Sequence, residues 1–136
     1  MRVLLDTNVI LDIAQERESF YAAAARVLRA SDFGRVHLFV TASAATDIYY
    51  ILRKSDGREA ALTFLADLLK VVDVCLVDKD ILLAALGSAF VDFEDAVQNA
   101  AAIEANVEII VTRNKMDYTG SSLTVLSPDE FVAEYL

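Results

Sequence analysis

What most constrains this chain is an alternation. Short apolar runs rich in β-branched residues are separated, from end to end, by segments with a helical period. Arg2–Leu5, Val36–Val40, Val72–Val77, Glu108–Val111 and Leu123–Leu126 read as strands. Helices are expected from Thr7 to about Ala14, Ser19 to about Ala30, a Thr41 cap to about Lys54, Asp56 to about Lys70, Asp78 to Ala89, and Asp92 or Phe93 to about Ala105. Asp56-Gly57-Arg58-Glu59 resembles a capping box, and Ser127-Pro128-Asp129-Glu130 opens a last helix with a cap, an early proline and a favourable Glu. Alternation of this kind predicts an α/β fold, with a central parallel sheet of about five strands covered by helices on both faces. Right-handed crossovers favour the strand order 3-2-1-4-5, with the chain reversing direction between the first and fourth strands. Ligands in such sheets bind at the carboxyl ends of the strands beside that reversal, where Asp6 and Arg113-Asn114 lie.

At 136 residues and 56% hydrophobic, the chain has the length of one domain, expected to span residues 1–136. A chain this size buries roughly 68–70% of the surface its unfolded form exposes, so neither disulfides nor a structural metal are needed. The single cysteine, Cys75, sits in an apolar run and reads as a small buried hydrophobe. With no intrachain disulfide and no secretion signal, a cytoplasmic protein is expected; Asp6 and Asp12 interrupt the only early apolar run, and no membrane segment is apparent. The net charge of −9 excludes a protein that wraps nucleic acid broadly by charge. Bound cations or a local basic patch must offset the repulsion if the chain handles a polyanion.

Acidic and amide side chains recur at the predicted carboxyl edge. Asp6 closes the first strand, where a buried acid is costly without a partner; it serves either as a helix cap or as a ligand. Asp47 lies past the first turn of a mostly apolar helix, so capping explains it less well. In Asp92-Phe93-Glu94-Asp95, Asp92 is the simplest cap, Asp95 the ligand candidate on the face toward the sheet edge, and Glu94 faces solvent. Thr112, Arg113, Asn114, Lys115 and Asp117 follow the fourth strand. Packed carboxylates repel, and such a cluster persists when a cation compensates them. Oxygen donors without a cysteine partner favour Mg²⁺ or Mn²⁺ over zinc, while the lone His37, within the second strand, reads as a packing or surface residue.

Leu5-Asp6-Thr7-Asn8-Val9-Ile10-Leu11-Asp12 resembles the opening signature of PIN domains. Asp92-Phe93-Glu94-Asp95-Ala96 and the segment Val111–Tyr118 resemble the two later signatures, and Thr46-Asp47-Ile48-Tyr49-Tyr50 is similar to one bacterial subgroup, the VapC-type toxins. The resemblance covers essentially the whole chain. It implies a three-layered α/β/α fold and Mg²⁺- or Mn²⁺-dependent cleavage of RNA. It also implies a possible antitoxin partner and a homodimer. By position, Asp6 and Asp95 are metal ligands, Asp47 stands where the family usually has Glu, and Asn114 where it usually has Asp, with Asp117 a supplementary ligand. Thr7, Asn8, Asp92 and Thr112 support the site, and Arg113 and Lys115 are the nearest cations for substrate phosphates. Two other readings stay open: a PIN fold that binds RNA or protein without cutting, and a phosphoacceptor receiver domain using Asp78 and Lys115. The second lacks the acidic doublet that a receiver carries after its first strand.

Overall fold

A computed structural model describes residues 1–136. The strands β1 (Arg2–Leu5), β2 (His37–Thr41), β3 (Asp73–Cys75), β4 (Ile109–Val111) and β5 (Thr124–Leu126) form one sheet in the order β3-β2-β1-β4-β5. Every pairing is parallel. Fold class and strand order are those expected from the alternation. The side-chain period of two then divides the apolar residues between two faces. Val3, Leu5, Leu38, Val40, Ile109 and Val111 enter one core; Leu4, Phe39, Cys75 and Ile110 enter the other.

Seven helices complete the layers. The first core is covered by α1 (Thr7–Ala14), α2 (Tyr21–Arg29), α3 (Ala42–Asp56), α4 (Arg58–Leu68) and α7 (Pro128–Tyr135). The second lies under α5 (Lys79–Leu86) and α6 (Phe93–Glu104). Full burial of side chains such as Leu4, Leu5, Ile10, Ile48 and Phe131 stabilises the fold by about 1.5–3 kcal/mol each. Ser127 and Asp78 cap α7 and α5 by accepting from Glu130 N and Ile81 N, at 3.1 and 3.0 Å. No helix is long and apolar enough to cross a membrane.

Several expectations need correction. The Asp56-Gly57-Arg58-Glu59 capping box does not form: Asp56 is the last residue of α3, and Gly57 separates the two helices with no side-chain cap. Its φ of 92° lies where L side chains are strained, so glycine makes the break between α3 and α4. The expected helix from Ser19 begins only at Tyr21 and tightens into a 3₁₀ turn over Ala30–Phe33. Strand β3 is half its expected length, because Leu76 is already mostly exposed past Cys75. Cys75 is buried as expected, which pushes its thiol up to about 11. His37 is exposed on β2, tilted against Phe39 and paired with Asp73.

Candidate active site at the carboxyl edge of the sheet

Asp6 stands where β1 and β4 part. Its backbone N–H still donates to Val111 O at 3.0 Å, continuing the sheet, while its side chain already caps α1. The carboxylate is 5% exposed. Oδ1 accepts from Thr7 N at 2.7 Å and Gln98 Nε2 at 2.8 Å. Oδ2 accepts from the Thr112 hydroxyl at 2.7 Å and from Asn8 Nδ2 at 3.3 Å. A carboxylate has about four acceptor positions, so these donors hold Asp6 completely, and all of them are neutral. Thr7, Asn8 and Thr112, grouped with Asp6 from sequence, therefore touch it directly. Thr112 is fully buried and also accepts from Asn114 N at 3.0 Å, tying the loop after β4 to the same carboxylate.

The sequence reading missed Gln98 and Tyr118. Gln98 lies on α6 three residues after Asp95, hence on the same helix face. Its Nε2 donates both to Asp6 and to the Tyr118 hydroxyl, the latter at 3.0 Å. An oxygen turned toward the Asp6 carboxylate would be repelled, so the amide is fixed this way round; Oε1 is then buried without a partner. Tyr118 is 1% exposed, and its hydroxyl accepts from Gln98. Hydrogen bonds thus run from Asp6 through Gln98 to Tyr118, and the charges of both principal acids act on the Tyr118 hydroxyl. One signal in the sequence pointed to Gln98: a long polar side chain inside the small apolar run Ala96–Ala102.

The remaining acids surround this pair. Asp92 caps α6 by accepting from Asp95 N at 3.0 Å. Burial, then the charges of Asp6, Asp92 and Asp117, push the Asp95 carboxyl up to about 7. Glu94 is exposed, as expected, yet it belongs to the cluster: the charge of Asp47, its own partial burial, Asp92 and Asp6 raise its carboxyl. Asp47 is half-buried on α3 and makes no ion pair with Arg53 or Lys54. Six carboxylates therefore repel one another across this edge, and none is paired with an arginine or lysine.

The basic residues expected to receive phosphates are engaged elsewhere. Arg113 bonds the fully buried Asp12 through Nε at 2.7 Å and its terminal nitrogen at 3.2 Å, and its guanidinium lies 4.1 Å from the Phe20 ring centroid. Lys115 donates to both oxygens of Glu130 at 2.9 Å. Asn114 and Asp117 are exposed and form no side-chain hydrogen bond.

Residues 2–116 match the PIN domain. The chain belongs to the PIN-domain family. Within it, the chain is 30% identical over 141 aligned residues to Ribonuclease VapC1 of Aquifex aeolicus strain VF5, covering 96% of this chain and 92% of that protein. The fold is shared with a toxin–antitoxin complex from Klebsiella pneumoniae, at a TM-score of 0.70 and 20% identity over 93% of this chain and 97% of that one. It is shared too with VapC20 of Mycobacterium tuberculosis, described as a sarcin-ricin loop cleaving toxin, at a TM-score of 0.66 and 16% identity over 98% and 96% of the two chains.

The donor set of this PIN domain suits a hard divalent cation. Oxygen ligands dominate, no thiol or imidazole is near, and the mutual repulsion of Asp6, Asp95, Asp47 and Glu94 has no internal counter-charge. Two observations pull apart here: the acids act on one another electrostatically, yet no three of them converge into a cage that could hold an ion unaided. Coulomb effects reach several ångströms, whereas coordination needs about 2.0–2.1 Å for Mg²⁺. Mg²⁺ characteristically takes one or two carboxylates and completes its shell with water and phosphate, so a cage of three acids is not required for it. On Asp6, the long Asn8 contact is the weakest of the four and the one a cation most readily replaces.

Proposed function

We propose that this chain is a metal-dependent endoribonuclease, the toxin of a toxin–antitoxin pair. The observation that carries the reading is the carboxylate cluster at the carboxyl edge: Asp6 clamped by neutral donors, Asp95 close enough for the Asp6 charge to raise it, and no lysine or arginine paired with either. The similarity to a named ribonuclease, and to toxins solved with their antitoxins, supports the same conclusion. On this reading Asp6 and Asp95 hold Mg²⁺ or Mn²⁺. When bound, the ion supplies Lewis acidity toward the scissile phosphate and the attacking water.

The chain's own residues do the rest. Asp95, whose carboxyl is pushed up to about 7, would have to give up its proton to hold an ion, so binding would compete with protonation. Thr112 and Gln98 keep both Asp6 oxygens in place, which is the outer support that metal-ligating carboxylates need. Asp47 and Glu94, close enough for the charge of one to raise the other, would orient the attacking water, and one of them would accept its proton. Asn114 and Asp117 complete the rim on the β4 side. A cognate antitoxin, and a homodimer using the exposed Leu82, Leu83 and Leu86 of α5, belong to this reading, as does a cytoplasmic, single-domain protein.

Cleavage of a mixed RNA pool by the wild type and Asp6→Asn, each with Mn²⁺ and with chelator, tests it. Cutting that needs metal and disappears in the variant is expected. No cutting by a folded, metal-supplied wild type would move the chain to a binding role.

A further inference from the structure

An acidic ribonuclease must still hold a polyanion, and the cations nearest its acids are bonded to Asp12 and Glu130. Free cations gather on the other side of the molecule. Arg26 and Arg29, in the last turns of α2, and Arg35, two residues before β2, line a cleft of about 560 Å³, the largest of the four main clefts. All three are exposed and none forms an ion pair. A quarter of the chain's 12 lysines and arginines are therefore concentrated in one concavity. Asp32 is the one acidic side chain in its lining. Beside the arginines stands Phe33, 76% exposed and followed by Gly34 in a left-handed turn. A lone exposed apolar residue is ordinary; what sets Phe33 apart is that it lines the same cleft as three unpaired arginines.

Arginines at the end of α2 also complement the helix dipole. That accounts for Arg26 and Arg29, but not for Arg35 or Phe33, which lie outside the helix. Guanidinium groups beside an open aromatic ring are the pair of groups that grips single-stranded nucleic acid, the first on phosphates and the second on an unstacked base. The cleft lies at the amino edge of the sheet, next to the start of β2; Asp6 lies at the carboxyl edge.

We propose that this arginine cleft is a second RNA contact, taking the phosphate backbone and one base of a single-stranded segment away from the cutting edge. The proposal rests on the ribonuclease reading and explains how an acidic chain retains RNA. Substrates long enough to reach both edges gain affinity from it; short oligonucleotides do not.

Anisotropy of a labelled single-stranded 30-nucleotide RNA (a probe length of about this size spans several contacts), measured in chelator over a range of salt, isolates binding from cutting. The variants are Arg26→Gln/Arg29→Gln/Arg35→Gln, Phe33→Ala, and a charge-matched control, Arg53→Gln/Lys54→Gln/Arg58→Gln, at exposed residues that line none of the main clefts. Circular dichroism confirms each fold. The cleft variant should bind about ten-fold more weakly, with a salt slope lower by about 2, since each single-strand phosphate contact contributes about 0.7. Phe33→Ala should lose about five-fold or more from stacking. The control should stay within about two-fold of wild type. Equal losses in cleft and control variants, or unchanged binding in the cleft variant, would overturn the proposal. So would a labelled polyglutamate peptide that binds this cleft where RNA does not, which would assign it to an acidic protein. Cleavage with Mn²⁺ reads the acid cluster separately, so the two readings fail independently.

Discussion

Asp6 and Asp12 lie at the two ends of one turn-and-a-half of chain, both buried, and the protein treats them oppositely. Asp12, fully inaccessible, is neutralised by Arg113 in a two-point contact and by Arg17 at 3.4 Å. Asp6 receives only neutral donors, and its nearest charged neighbours are other acids. Burying a carboxylate is unfavourable unless it is paired and hydrogen-bonded. Asp12 satisfies that rule within the chain and is structural. Asp6 satisfies only the hydrogen-bonding half, and on the proposed ribonuclease reading a bound cation would supply the other.

The largest expected effect separates the two in stability. Asp12→Ala removes a fully buried carboxylate and strands the half-buried Arg113 guanidinium, and should cost about 2–4 kcal/mol in urea unfolding. Asp6→Asn loses charged hydrogen bonds but relieves repulsion with Asp95, and should cost no more than about 1–2 kcal/mol. Comparable losses would erase the distinction. Next, Gln98→Met removes the amide between Asp6 and Tyr118 while conserving volume. Mn²⁺ affinity should fall about 10–100-fold, the usual effect of deleting an outer partner of a metal ligand. Unchanged affinity with a native spectrum would mean that the amide positions nothing.

A smaller effect concerns pH. Asp95 is raised from 3.8 to about 7, so the folded chain keeps a proton that the unfolded chain has released across that window. Stability therefore falls as pH rises from about 4 to about 7 and levels off above it. Metal-free wild type should melt at lower temperature at pH 7.5 than at pH 5.5, and Asp95→Asn should flatten this contribution. A melting curve that rises over the same interval in wild type and not in the variant would contradict it. Smallest of all, Lys115→Met breaks an exposed pair with Glu130 and should change stability by at most about 1 kcal/mol. A larger loss would give the loop after β4 a second structural anchor besides Arg113.

Legibility followed the range of the interactions. The sheet order was readable because alternation and crossover handedness leave few topologies. Asp6 and Thr112 were readable because polar residues ending interior strands meet at one edge. The Arg113–Asp12 contact was not, since 101 residues separate partners that only the completed β1–β4 pairing brings together. Local signals also misled where two were in competition. Asp56 and Glu59 have capping spacing, yet α3 continues through Asp56 until a left-handed Gly57 ends it. Gln98 carried a weak signal, a polar residue in an alanine-rich face, whose meaning depends on Tyr118 reaching it from the loop after β4.

The central claim is that the carboxyl edge is built to take a cation. Titration of Mn²⁺ into metal-free wild type and Asp6→Asn near pH 6, where Asp95 still carries its proton, followed by the loss of the free-ion paramagnetic signal, tests it most directly. The account predicts saturable binding in the wild type, accompanied by proton release from Asp95, and loss of that binding in a variant that keeps its fold. Equal binding by the two proteins, or none by the wild type, would contradict it.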